Sequence, residues 1–256
     1  MYQDDYSAVI QAAKTKINFL KGNPIGYFLA SVLAGMFVGF GILLIFSVGG
    51  LLSGQPYAKV AMGLSFGIAL SLVIMAGSEL FTGNNFVMTA GVLGKSVSWK
   101  ETIYLWVVCF IGNWVGAILL AFIFFKAGFA TGATGELIAS VAATKMNLPF
   151  EQLLLRGILC NILVCLAVWC GYRCKSESGK LIMIFWCLFA FITSGFEHSI
   201  ANMTLLTISL FAPLQADISM SGYLYNMLSV TLGNMVGGIL FLAFPYFLIA
   251  RKKEVK

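Results

Sequence analysis

The sequence predicts an all-α integral membrane protein with six transmembrane helices. Of its 256 residues, 60% are hydrophobic and only 10% are charged, whereas soluble domains contain roughly a quarter of charged residues. Several apolar runs also exceed the ~20 residues that a helix needs to cross the hydrocarbon core of a bilayer. A soluble fold is therefore excluded, and the lipid bilayer is the expected surrounding.

Six apolar segments justify the number of helices. They cover approximately residues 25–52, 60–93, 102–125, 153–170, 181–211 and 222–250. An even number of crossings places both termini on one side, and the loops on that side contain most of the Lys and Arg residues. The positive-inside rule then predicts cytoplasmic termini. This distribution explains the net charge of +6 without a nucleic-acid partner.

The predicted domain organisation is simple. We expect an N-terminal cytoplasmic amphipathic segment at 1–24, one transmembrane domain at 25–250 and a cytoplasmic tail at 251–256. Basic and apolar residues mix at helical spacing in the first segment. It is interpreted either as an interfacial helix or as a gate at the cytoplasmic mouth of the domain.

Cofactor chemistry finds little support in the sequence. The six cysteines lie in or beside apolar segments without a CxxC pair, which favours packing over a metal or redox site. A single histidine is too few for a zinc site. The sequence has no Walker motif, no GxGxxG after a strand and no GxSxG elbow. We expect no cofactor and no metal.

Two patterns recur in the same order and predict an internal duplication. Residues 77–84 match 195–202 at Gly, Glu and Asn with an offset of 118, and residues 112–119 match 233–240 with an offset of 121. The two copies, about 25–125 and 152–250, contain three spans each. Because three is odd, the second copy enters the bilayer upside down, which gives an inverted 3+3 repeat. The glycine spacing in the second pattern also predicts close helix contacts.

The second and fifth segments, transmembrane helices 2 and 5, are predicted to be broken helices. Each is long and has a polar interruption, at residues 77–85 and 194–202. Irregular backbone at that depth is tolerated only where protein buries it or where it lines a cavity. Matching interruptions in the two halves indicate a substrate site near the midplane, where helix N-termini favour an anion.

Titratable residues in the interruptions have different symmetry. Glu79 and Glu197 occupy equivalent positions. They could form a proton relay or a cation site. The symmetry favours the alternative, in which each carboxylate caps free N–H groups of its own broken helix. His198, the only histidine, corresponds to Leu80 in the other copy. This asymmetry indicates a donor or titrating group in a pore, and the alternative is a core histidine held by a backbone carbonyl.

Four motifs resemble the signatures of the formate/nitrite transporter family. They are Glu79-Leu-Phe-Thr-Gly, residues 161–169, residues 195–203 and Gly233-Asn234, and the resemblance covers nearly the whole chain. It implies an aquaporin-like six-helix protomer in a homopentamer of the bacterial plasma (inner) membrane. Each protomer would have its own pore for small monovalent anions, namely hydrosulfide (HS⁻), formate or nitrite.

The resemblance also implies roles for individual residues. It assigns His198 to the centre of the pore and Thr82 to the loop that faces it. The other implied residues are Leu80 and Phe81 of the same loop, Phe66, Leu70 and Phe191 of apolar constrictions, and the vestibule pair Lys145 and Asn161. The repeated interruptions themselves predict Glu79, Glu197, Asn84 and Asn202 as structural residues of the broken helices. Gly83-Asn84-Asn85 differs from formate channels of the family and favours its clostridial hydrosulfide branch. From the residues alone, Lys145 is a solvated loop charge.

Two other functions stay open, and a third is not expected. An aquaporin-like channel for neutral solutes shares the inverted repeat, but neither interruption contains Asn-Pro-Ala. A proton-coupled anion transporter uses the same broken helices around a midplane site. An integral membrane enzyme would need a cluster of catalytic groups on one side, and the chain offers only the two glutamates and the histidine described above, so no enzyme is expected.

Overall fold

The structure, a computed structural model, describes residues 2–251, and it is helical nearly throughout. The helices are α1 (Gln3–Gly22), α2 (Pro24–Leu51), α3 (Ala58–Ser65), α4 (Ile68–Met75), α5 (Phe81–Leu93), α6 (Trp99–Lys126), α7 (Gly132–Met146), α8 (Phe150–Arg173), α9 (Glu177–Ser194), α10 (Ser199–Phe211), α11 (Met220–Gly238) and α12 (Phe244–Ala250), with a π-helical turn at Ile239–Ala243. Six stretches are long and apolar enough to cross a membrane. They are α2, α3 with α4, α6, α8, α9, and α11 with α12, which confirms the predicted all-α membrane fold.

The helices form two sets with the same order. In each set a helix outside the spans precedes a long helix, a broken helix and a second long helix, so that α7 stands before α8 as α1 stands before α2. No apolar run predicts α7, because its 15 residues are rich in Gly, Ala and Thr. Of the predicted tail at 251–256, only Arg251 lies within the described residues.

Glycines allow the long helices of each set to approach closely. A Cβ atom on Gly116 of α6 would overlap the carbonyl oxygen of Val32 on α2, and one on Gly237 of α11 would overlap that of Ile158 on α8. The close contacts predicted from the glycine spacing are therefore confirmed. They fix the frame in which the broken helices lie.

The two predicted helix breaks are confirmed. The first separates α4 from α5 and contains Gly77 at φ 76, and the second separates α9 from α10 and contains Gly195 at φ 80. This left-handed backbone favours glycine over residues with a side chain. After the breaks, α5 and α10 follow as short, largely buried helices of 13 residues each.

Helix α1 is docked on the protein along one face. Ala13 lies against Gly91 of α5, and the Tyr6 hydroxyl donates to the Ala243 carbonyl of the π-helical turn at 3.3 Å. At its two ends, Asp5 pairs with Arg173 at 3.5 Å and Lys21 pairs with Glu101 at 2.5 Å. Its apolar face therefore contacts protein along its length.

Gly116→Ala should destabilise the fold, because the added methyl group meets backbone of α2 that cannot rotate away. Overpacking of this kind costs about 1–3 kcal/mol, and the unfolding temperature of the purified protein in detergent should fall. Gly171→Ala is the control, since a Cβ there has no atom within 4 Å. An equal unfolding temperature for both variants would contradict the assigned helix contact.

Candidate functional site

Asn113 bridges the two sides of the first helix break. Its Oδ1 accepts the N–H of Phe81, the first residue of α5, at 2.9 Å. Its Nδ2 donates to the carbonyl of Glu79 at 2.8 Å and to that of Ser31 on α2 at 2.7 Å. Backbone groups that would otherwise be unpaired inside the membrane are thereby satisfied by one amide.

Asn234 does the same at the second break. It accepts the N–H of Ser199 at 2.9 Å and donates to the carbonyls of Glu197 at 2.9 Å and Gly157 at 2.8 Å. Both asparagines follow the glycines of the repeated string at 112–119 and 233–240. The sequence predicted that this string marks the duplication and packs helices closely, but it did not assign the asparagines to the breaks, although their recurrence was a usable signal.

The side chain of Glu79 binds a lysine that was not predicted. Lys16 of α1 approaches both carboxylate oxygens at 2.7 Å, and Asn84 and Tyr27 donate to Oε2 at 2.9 Å and 3.2 Å. The expectation that this carboxylate caps its own helix is wrong, because its oxygens bond the side chains of Lys16, Tyr27 and Asn84 and no backbone N–H group within the described residues. The carboxylate instead compensates a lysine that is four-fifths buried.

Glu197 repeats this arrangement in the second copy. Lys145 of α7 lies 2.7 Å from both carboxylate oxygens, and Asn202 donates to Oε2 at 2.7 Å. The predicted cap is wrong here for the same reason. Lys145 is also not a solvated loop charge, because α7 carries it onto the buried Glu197.

The two broken helices meet at His198 and Thr82. His198 is the N-cap of α10, and its Nδ1 accepts the N–H of Ala201 at 3.1 Å. The neutral imidazole therefore has its proton on Nε2, which lies 3.0 Å from Thr82 Oγ1. Thr82 accepts this bond, so its own hydroxyl proton is available to another acceptor. Leu80, at the equivalent N-cap of α5, makes no side-chain cap.

Two large cavities flank this pair, and we name them by their buried lysines. The Lys16 vestibule has a volume of about 500 Å³, and the Lys145 vestibule has a volume of about 460 Å³. They lie at opposite ends of α2, since Ala30 lines the first and residues from Ile42 to Leu52 line the second.

Between them is a central compartment of only about 10 Å³, about the space of one water-sized probe. Its lining is apolar apart from His198, and it includes four of the predicted residues, Phe66, Leu70, Leu80 and Phe191. The rings of Phe66 and Phe191 meet edge to face with centroids 5.4 Å apart.

Three predicted site residues lie outside the lining of these cavities. Thr82 is fully buried and lines none of them. Phe81 packs against Phe110 with ring centroids 5.0 Å apart and lines none of these cavities. Asn161 does not join Lys145 in a vestibule. It is buried and donates to the carbonyls of Asn234 at 2.6 Å and Thr82 at 3.3 Å, so it supports the backbone that carries the threonine.

An inverted repeat with broken helices, two cationic vestibules and a narrow apolar centre defines a membrane protein that passes small solutes. The chain belongs to the formate/nitrite transporter family: the family described as "Formate/nitrite transporter" matches residues 3–248. The nitrite transporter NirC of Escherichia coli (strain K12) is 40% identical over 248 residues, which cover 96% of this chain and 92% of that protein.

Other relatives support the same family assignment. NirC of Salmonella typhimurium is 38% identical over 255 residues and covers 99% of this chain and 94% of its own length. A solved structure described as an "FNT family ion channel" has a TM-score of 0.92 at 37% identity, and the match covers 97% of this chain and 99% of that one. A "Pentameric formate channel with formate bound" has a TM-score of 0.78 at 33% identity, with 89% and 97% coverage. These relatives are transporters and channels, not enzymes.

Glu197→Ala should strongly destabilise the protein, because it leaves the Lys145 ammonium buried without a partner. Loss of one member of a buried ion pair costs about 3–5 kcal/mol. The double variant Lys145→Met, Glu197→Gln removes both charges and should recover much of that loss, measured by chemical unfolding in mild detergent.

The control for this experiment is Glu151→Gln, because Glu151 is exposed and makes no ion pair within the described residues. It should leave the unfolding transition unchanged. A double variant as unstable as Glu197→Ala would mean that packing, not charge compensation, determines the effect.

Proposed function

We propose that this chain is a membrane channel for small monovalent anions, with hydrosulfide as the preferred substrate. The observation that carries the proposal is the Thr82–His198 pair between two lysine-bearing vestibules. His198 is the one polar side chain among the described residues that line the apolar constriction, and its Nε2 lies 3.0 Å from the buried hydroxyl of Thr82. His198 and Thr82 are its central residues, and Phe66, Leu70, Leu80 and Phe191 form the barrier.

The vestibules favour anions because each lysine is more accessible than its carboxylate. The side chains of Lys145 and Glu197 are 18% and 2% exposed, and those of Lys16 and Glu79 are 20% and 11% exposed. An entering ion therefore meets the ammonium group before the carboxylate. Because each lysine–glutamate pair is neutral overall, this attraction is local to the ammonium group inside the vestibule.

The central compartment must then lower the cost of removing water from the ion. Transfer of an unpaired ion into a medium of low dielectric costs on the order of 20 kcal/mol by the idealised Born estimate. The free hydroxyl proton of Thr82 can bond the anion while His198 holds its oxygen in place. An anion that takes a proton from water in a vestibule, leaving hydroxide there, would cross as the neutral acid, and this route suits the conjugate base of a weak acid such as H₂S.

Nitrite is the second candidate. The relatives from Escherichia coli and Salmonella typhimurium, 40% and 38% identical, are named nitrite transporters. Formate is the substrate in the name of a less identical solved structure. The preference for hydrosulfide rests on Gly83-Asn84-Asn85, which differs from formate channels of the family. The flux experiment below, made with and without a proton gradient, also tests proton-coupled transport by the same site.

We further propose a homopentamer in the plasma membrane of a bacterium, with both termini in the cytoplasm. The relative described as a pentameric formate channel and the bacterial origin of both NirC proteins support the assembly and the location. The distribution of basic residues supports the orientation. Residues 25–250 then form the channel domain, and the segment 1–24 supplies Lys16 to the vestibule on its own side.

His198→Ala should reduce anion flux into proteoliposomes by roughly tenfold or more, because a hydrogen bond to a charged group contributes about 1.5–3 kcal/mol. HS⁻, nitrite and formate are compared at two pH values, with and without a proton gradient. The pH dependence of the flux should change in the variant.

Two further variants separate transport from folding in this experiment. Asn is a good N-cap, so His198→Asn should keep the cap of α10, and Thr82→Val keeps the side-chain shape without the hydroxyl. Both should fold and lose flux. Wild-type flux and an unchanged pH profile in both would remove this pair from the mechanism, and faster nitrite than HS⁻ flux would reverse the substrate order.

A further inference from the structure

Two further lysines lie at the vestibules, outside the buried ion pairs. Lys59 lines the Lys145 vestibule, and Lys180 lines the Lys16 vestibule. Each lies among the first four residues of the first half of a broken helix, Lys59 in α3 and Lys180 in α9. A cation at a helix N-terminus opposes the helix dipole, so helix stability does not explain its position.

The two lysines lie near the start of corresponding helices in the internal repeat. Lys59 is the second residue of α3 and Lys180 is the fourth residue of α9. They line opposite vestibules. Each mouth therefore has one such cation.

These lysines provide the charge that the buried pairs do not. Lys16 and Lys145 are each bound to both oxygens of a buried carboxylate, so each buried pair is neutral overall. Lys59 is exposed and makes no ion pair within the described residues. Lys180 pairs with Glu177 at 3.0 Å, and the two side chains are 27% and 64% exposed. Ion pairs that solvent reaches in this way are weak.

Lys59 also lies beside the second helix break. Its Nζ is 3.4 Å from the position that a Cβ would take on Gly195, and Gly195 lines the same vestibule. The ammonium group is thus at the entrance of the path toward His198. Attraction to the C-terminal carbonyls of α9 is the structural alternative.

We propose that Lys59 and Lys180 recruit the permeating anion, one on each side of the membrane, and that the buried lysines act only after entry. This inference rests on the proposed anion channel. Recruitment by an exposed charge is screened by salt, with a Debye length of ~30 Å at 0.01 M and ~3 Å at 1 M. It acts on the capture of dilute substrate, not on passage through the central compartment.

The test measures initial anion flux in proteoliposomes with one protein orientation, using whichever of HS⁻, nitrite and formate the wild type passes fastest. At low ionic strength, Lys59→Gln should raise the half-saturating concentration roughly threefold for flux from one side, and Lys180→Gln should do so from the other. Maximal flux should stay unchanged. At ~1 M salt the effect should disappear, and Lys59→Arg should behave as the wild type.

Lys126→Gln and Lys100→Gln are the matched controls, since both lysines are exposed and line neither vestibule. They should not change the half-saturating concentration. A wild-type protein without anion flux would overturn the proposed function. Wild-type flux with equal half-saturation in Lys59→Gln, or a loss of maximal flux that persists at high salt, would overturn the recruiting role and leave the channel in place.

Discussion

The rest of the structure depends on one constraint, which is that backbone groups exposed by a helix break inside a membrane must be hydrogen-bonded by protein. Asn113 and Asn234 meet this requirement by accepting the first N–H of the new helix and donating to a carbonyl across the break. With the backbone fixed in this way, the carboxylates of the breaks are free for other partners.

Those carboxylates then determine where positive charge can be buried. Glu79 and Glu197 each bind a lysine from a helix that lies outside the spans, α1 in the first copy and α7 in the second. A lysine at that depth would otherwise be very costly. The scaffold is therefore symmetric in backbone anchors and in buried ion pairs, whereas the N-caps of the two short helices differ, with His198 in place of Leu80.

Much of the fold could be predicted because it follows from local properties of the chain. Apolar length gave the six spans, the glycine strings gave the close helix contacts, and the paired interruptions gave both breaks. Helix α7 could not be predicted, since a short Gly- and Ala-rich segment has no apolar run. The partner of Glu79 was missed for a related reason, because Lys16 comes to that site only when α1 docks on α5.

The site was predicted less completely, since partner choice depends on packing that spacing does not encode. The family resemblance placed Lys145 and Asn161 in one vestibule, whereas the structure binds Lys145 to Glu197 and Asn161 to the backbone of Thr82. The residues around the constriction were predicted better. Phe66, Leu70 and Phe191 are bulky and buried, and the breaks bring their helices to a single point.

The N-cap at His198 links the fold to the proposed chemistry. Capping of α10 requires an unprotonated Nδ1, so the neutral imidazole must donate from Nε2 to Thr82. Thr82 then has only its own proton to offer a permeating anion, and the donor is aligned before the ion arrives. A protonated Nδ1 would break the cap, and the same bond that stabilises the helix therefore opposes retention of a second proton. In the proposed channel, any proton that neutralises the anion must therefore come from water in the vestibules, and the histidine keeps the capping tautomer throughout each passage.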